Sequence, residues 1–213
     1  MIRSRSHPDA TLSTRRTEAY TDAVFAIAAT LLVLGLTSQT FDGVKTNGDL
    51  AAALLGMWQP FVTFVVSFLL LSLMWMTHIA QFEHIARIDT VGIWINNIRL
   101  LFIVLVPFTS SLNTDFSSTL LGRVLLPANF CLALLSGWAQ WAWVARHREV
   151  MVPDLDPEQV RRESGGALSA LVLSGLVVAA SPWLGSYAFL LFLLDGLVTR
   201  LLSGRRRPTP SDR

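Results

Sequence analysis

Arg16-Thr17-Glu18-Ala19-Tyr20-Thr21-Asp22, followed without a break by AVFAIAATLLVLGL (23–36), sets charge at the mouth of a run that is otherwise almost wholly apolar. A carboxylate costs about 2.5–3.5 kcal/mol at the centre of a bilayer helix and less near its end. Asp22 therefore needs a partner that stabilises it or an aqueous pathway that it serves. Residues 17–37 supply the ~20 residues that a helix needs to cross ~30 Å of hydrocarbon. Helix is the expected state because lipid offers backbone N–H and C=O groups no partners.

Working outward, apolar segments of similar length recur at 53–77, 91–112, 122–145, 165–182 and 184–203. Only 15% of the 213 residues are charged, against about 25% in a soluble domain. The chain reads as an all-α, polytopic membrane protein with six transmembrane helices per subunit. The division expected is a disordered cytoplasmic tail at 1–14, a membrane domain at 15–203 and a basic cytoplasmic tail at 204–213. Arg15-Arg16 before an apolar run invites a signal-peptide reading. Glu18 and Asp22 lie inside its start and no A-x-A site closes it, which argues against cleavage. Cys131 is the sole cysteine, so no intrachain disulfide forms, and its apolar setting makes it a packing residue.

The positive charges set the orientation. Arg3, Arg5, Arg15 and Arg16 precede the first span, and Arg87 lies between the second and third. Arg146, Arg148, Arg161 and Arg162 fall between the fourth and fifth, and Arg200 and Arg205 to Arg207 end the sixth. The opposite loops hold only Lys45 and Arg123. The positive-inside rule then places both termini in the cytoplasm, in a multi-pass protein expected in the cell (plasma) membrane. The connection 146–164, with Pro153 and Pro157, reads as a short cytoplasmic loop.

At about 100° per residue, Ile27, Thr30, Leu31 and Leu34 share one stripe of the first helix. Asp22, Ala26, Ala29 and Val33 share another, where small side chains allow close helix approach, so Asp22 is expected to point into the protein. Periodicity alone favours the plain reading of the Ile/Leu stripe, that it faces lipid or core.

Arg16-x-x-x-Tyr20-Thr21-Asp22 followed by VFAIAATLLVL resembles the first helix of the transmembrane protein 175 potassium channel family, whose signature is R-x-x-x-F-S-D. Tyr20 and Thr21 stand where the family has Phe and Ser. Asn97-Ile-Arg-Leu-Leu, Val106-Pro107-Phe108-Thr109 and Trp75-Met-Thr-His78 extend the likeness through the third helix; the later helices agree mainly in number and spacing. The resemblance implies a homotetrameric channel in which helix one lines a central pore. Carried over, the hydrophobic constriction falls on Ile27, with Leu31 and Leu34 further along and Thr30 as a threonine layer meeting the ion. The permeating species implied is K⁺, and proton conduction is the variant within the class.

A ring of isoleucines cannot replace an ion's hydration shell; it can only narrow the pore and keep it dry. Preference for K⁺ over Na⁺ is accordingly expected to be modest. Thr90-Val91-Gly92 resembles the start of the TVGYG filter of other potassium channels. Ile93 and Trp94 follow it, so it reads as the start of the third helix instead. Arg16, Tyr20, Thr21, Asp22, His78 and Asn97 are expected to form a hydrogen-bonded network tying helices one to three, since an unsatisfied member would be costly in low dielectric. His78 and His84 are too far apart in helical phase to share a metal ion, so no metal or cofactor is expected. Arg99 and Asp195 could pair with each other or find separate partners. No nucleophile cluster, phosphate loop or nucleic-acid motif is present, so the chain is not expected to be an enzyme. Its partners are the lipid bilayer, copies of itself and monovalent cations. A secondary transporter or a non-conducting scaffold is the alternative outside the channel class. The transporter is disfavoured because Pro107 and Pro182 do not occupy matching places in two halves.

Overall fold

A computed structural model describes residues 14–37, 41, 43–147, 150–152, 156–196 and 198. Both expected tails lie outside the described residues, apart from Thr14, as does most of the end of the sixth span. The architecture is an all-α, multi-pass membrane fold. The helices are α1 (Thr14–Leu31), α2 (Leu34–Thr37), α3 (Asn47–Gly56), α4 (Trp58–Glu83), α5 (Thr90–Asp115), α6 (Leu120–Arg146) and α7 (Pro157–Leu184), followed by a 3₁₀ helix, Gly185–Leu194. Five segments among these residues are long and apolar enough to cross a membrane: 14–37, 58–83, 90–115, 120–146 and 157–194.

The first span is α1 and α2 joined by a tightened turn at Leu32-Val33, where Gly35 N–H bonds Leu32 O and Leu36 N–H bonds Val33 O. The second departs from expectation at its start. Residues 47–56 form a separate, wholly unburied helix, begun by a capping box in which Asp49 N–H bonds the Thr46 hydroxyl and Thr46 N–H bonds the Asp49 carboxylate. The spanning helix begins only at Trp58. The fifth span starts earlier than the sequence suggested, because Asp156 caps the Glu158 N–H and Pro157 occupies the first helical position. Half of the presumed loop 146–164 is therefore helical.

At Gly185 (φ +54°) the chain reverses. The following 3₁₀ helix packs back on α7, and Ser169 donates to Asp195 across the pair at 2.7 Å. Ten residues at ~2.0 Å rise cover ~20 Å, so this segment carries the sixth span much of the way back. α5 packs most heavily on α6, and α6 on α7. α1 lies against α5 and α4. Phe25, Leu71, Ile103, Val106, Phe130 and Val177 centre the main core, and a smaller core around Phe82, Ile88, Trp141 and Val160 closes the end where α1 begins. That closure is fastened by an antiparallel bridge, Ile85 to Met151, with Ala86 N–H on Val150 O and Val152 N–H on His84 O. Pro107 interrupts the α5 ladder; Asn129 of α6 donates to Phe102 O at 2.9 Å and to Thr109 Oγ1 at 3.4 Å, supplying contacts on either side of it.

Candidate functional site

One face of the first span belongs to the core of the chain: Thr21, Phe25, Ala28 and, in the turn after α1, Leu32 are buried. The stripe singled out from periodicity lies away from it. Ile27 is 58% exposed, Leu34 55% and Leu31 39%, and Thr30 is exposed too. The Thr30 hydroxyl donates to Ile27 O at 2.8 Å, and Thr37 repeats the bond on Leu34 O at 2.9 Å.

The motif residues separate into distinct contacts instead of one network. Asp22 is exposed, not turned into the packing of the chain. It accepts a 2.8 Å hydrogen bond from Trp75 Nε1 of α4, at the mouth of a cavity of about 360 Å³ walled by Ala26, Ala29, Leu71 and Ser72. Thr21 is fully buried and accepts from Asn96 Nδ2 of α5 at 3.0 Å; Gln140 of α6 donates in turn to Asn96 Oδ1 at 3.5 Å. Asn97, the residue expected in this role, is half-buried and outside that contact. Arg16 and Tyr20 are exposed and join none of these contacts.

His78 belongs to a third centre, built on Arg99 of α5. The guanidinium is buried, 2% exposed. Its Nη1 reaches His78 Nδ1 at 3.3 Å and Gln81 Oε1 at 3.4 Å, and its Nη2 reaches Met74 O at 3.2 Å, all on α4. A guanidinium only donates, so His78 Nδ1 must be the acceptor and the ring proton sits on Nε2. The ring lies 4.2 Å from Phe82 and 6.1 Å from Phe25 of α1, centroid to centroid. Gly137 of α6 lets the guanidinium come close: a Cβ there would stand 3.1 Å from its Cζ. Asp195 and Glu163 border the same cavity of about 190 Å³ as Arg99, but Asp195 takes its hydrogen bond from Ser169.

Asn96, Arg99, Gln81, Gln140 and Trp75 are thus the polar residues that the sequence-based network lacked. Trp75 was within the quoted motif. The spacing of Gly92, Asn96, Arg99, Ile103, Val106, Ser110 and Asn113, all buried, is a helical stripe, and following it would have selected Asn96 over Asn97. His84 contacts Gln159 and lies beside Trp141, in surroundings different from those of His78. Thr90 and Gly92 open α5, with Gly92 N–H held by Asp89 at 2.7 Å.

The profile of the family described as "Endosomal/lysosomal potassium channel TMEM175" matches residues 16–107, from α1 into α5. A potassium channel of Streptomyces collinus is 29% identical over 175 residues, covering 78% of this chain and 84% of that one. A potassium channel of Chamaesiphon minutus is 37% identical over 103 residues, so the chain spans about half the length of that relative (50%). The crystal structure of a lysosomal potassium-selective channel TMEM175 homolog from Chamaesiphon minutus superposes with a TM-score of 0.60 at 29% identity, covering 88% of this chain and 98% of that one. The relatives are described as channels. The expected plasma-membrane location is corrected by the same comparisons: the profile and six animal relatives, of which the matched region covers less than a quarter, are described as endosomal/lysosomal.

Proposed function

This chain is a homologue of the TMEM175 channel family, and on that premise we propose that four copies assemble into a passive monovalent-cation channel whose pore is lined by the exposed face of α1. The observation that carries this reading is the division of α1 into a face buried in the subunit and an apolar face, Ile27, Leu31 and Leu34, left uncovered beside Thr30. Four such faces around an axis would bury each other's apolar surface and leave a narrow, dry constriction at Ile27, opened by wetting. Thr30 adds a hydroxyl layer one turn beyond it. Few oxygens line such a pathway, so preference for K⁺ over Na⁺ rests on partial dehydration and is modest. The two bacterial relatives bear the name potassium channel.

Proton conduction is the second reading, and the animal relatives, described as proton channels, are what favour it. Purified protein in liposomes under a K⁺ gradient, with a pH-sensitive dye inside, tests both at once. Wild type should pass K⁺, and Ile27→Asn, which wets the constriction, should raise the flux or flatten the K⁺/Na⁺ ratio. Proton flux without K⁺ flux would favour the second reading. No flux from either protein would remove α1 from the pore and leave a scaffold. Saturable, counter-ion-dependent uptake would indicate a transporter.

A further inference from the structure

At the end of the bundle opposite the start of α1, the first turn of α4, the α5–α6 turn and the α7–3₁₀ corner surround a cavity of about 400 Å³. Among the described residues of its lining, Arg123 is the one charged side chain and none is Asp or Glu. The guanidinium is fixed in place: its Nε donates to Ser117 O at 2.6 Å and its Nη1 to Pro182 O at 2.9 Å. These bonds use two of its N–H groups and leave the rest of the fork uncommitted. Gln59, Ser117 and Ser118 add amide and hydroxyl groups to the wall. Ser186 is already directed at Asn113, 2.7 Å away.

The rim is aromatic. Trp58, Tyr187 and Trp183 line the same cavity and remain exposed, Trp183 by 80%. Tryptophan and tyrosine at helix ends mark the level of lipid headgroups. A pinned guanidinium with hydroxyl and amide neighbours suits a phosphate. With no carboxylate among the described residues of the lining, the guanidinium charge is uncompensated there, which favours a headgroup of net negative charge over a zwitterionic one. We infer that this cavity is a binding site for an anionic phospholipid, its phosphate on Arg123 and its glycerol and acyl chain across Trp183. The inference is independent of what the channel conducts.

Brominated lipids, which quench tryptophan on contact, provide the test. Full-length protein in phosphatidylcholine vesicles is titrated with brominated phosphatidylglycerol or brominated phosphatidylcholine, and the Trp183 component is isolated by comparison with Trp183→Phe. Phosphatidylglycerol should be preferred at Trp183 by about fivefold, the weight of one basic residue near the membrane surface. Arg123→Gln should bring the two lipids level, while Arg146→Gln, at the other end of α6, should leave the preference intact. Should Arg123→Gln fail to fold, Arg123→Lys carries the test, since it keeps the charge without the fork: the preference must fall without vanishing. Equal quenching by both lipids in wild type, or a preference undiminished in Arg123→Gln or Arg123→Lys, overturns the site. So does full displacement of the brominated lipid by inorganic phosphate, which would make the ligand a soluble anion.

Discussion

Replacing Gly137 by alanine adds one methyl group to α6, and its effect on stability should carry the opposite sign from that of most helical Gly→Ala changes. Alanine is favoured over glycine in a helix by about 1 kcal/mol. Here the new Cβ would lie 3.1 Å from Cζ, 3.3 Å from Nε and 3.4 Å from Nη1 of Arg99, so the guanidinium must retreat by a few tenths of an ångström. Its Nη1 bonds to His78 and Gln81 are already 3.3 and 3.4 Å long, so a shift of that size along either bond would take it out of range. Hydrogen bonds between membrane helices average ~0.6 kcal/mol and reach ~1.7, with charged donors at the upper end. Two lost bonds cost up to ~3.4 kcal/mol, and the propensity gain returns about 1, leaving a net destabilisation of at most about 2 kcal/mol. Unfolding in mixed detergent–SDS micelles measures it. In an Arg99→Met background the clash and the bonds are both gone, so the same methyl should stabilise by up to ~1 kcal/mol. If Gly137→Ala stabilises the wild-type chain, or costs the same in both backgrounds, the close approach of Arg99 to α6 is not what this glycine serves.

Three further outcomes follow from the packing. Thr21→Val removes the acceptor of the buried Asn96 amide and should cost about 1–2 kcal/mol in the same unfolding assay, whereas Thr21→Ser, which keeps the hydroxyl, should cost clearly less. Gly122→Ala would drive a Cβ onto the Phe116 carbonyl; overpacking of this kind costs about 1–3 kcal/mol, and the midpoint of unfolding should fall accordingly. The Asp49 carboxyl is held below its ordinary value of 3.8 by the Thr46 hydroxyl, with help from the Lys45 and Thr46 N–H groups. Because the folded-state value is the lower one, its contribution to α3 is complete above the ordinary value and is lost as the pH falls through the depressed one. A spin label at Leu55→Cys should therefore report an ordered α3 from neutral pH down to about 4 and fraying below it, and Asp49→Asn should abolish that pH dependence.

The membrane spans were legible because length and hydropathy alone decide them: the first five apolar runs each fall in a segment long and apolar enough to cross a membrane, and the described part of the sixth continues the fifth. Their ends were less so, because capping is local chemistry that hydropathy averages away. Thr46 with Asp49, and Asp156 with Pro157, are signals present in the sequence, yet Leu54 and Leu55 merged α3 into the following span and Pro157 was taken for a loop. The stripe of Ile27, Thr30, Leu31 and Leu34 followed from helical phase and does lie on an exposed face of α1. The polar contacts did not follow from phase on one helix. Arg99 touches α4 at Met74, His78 and Gln81 and lies against Gly137 of α6, and such a meeting exists only after three elements have been placed. Asn96 and Asn97 differ by one residue and about 100°, and only the neighbouring helices choose between them. The described part of the sixth span was not legible in form, since nothing in LLFLL distinguishes a 3₁₀ winding from an α one.

The hydroxyl of Thr30 gives its proton to the Ile27 carbonyl within its own helix, the local back-bonding open to a helical threonine. What remains for anything that meets this residue from outside is a pair of oxygen lone pairs and no hydrogen. An unconstrained hydroxyl solvates either sign of ion; one locked in this way solvates only the positive sign. In the assembly proposed above, four such oxygens would form a collar that discriminates between cations and anions without carrying any formal charge, and Thr37, bonded in the same way two turns further on, would form a second. The sign of the permeating ion would then be written in the backbone hydrogen bonding of α1, and Thr30→Val would erase it while Thr30→Ser would preserve it.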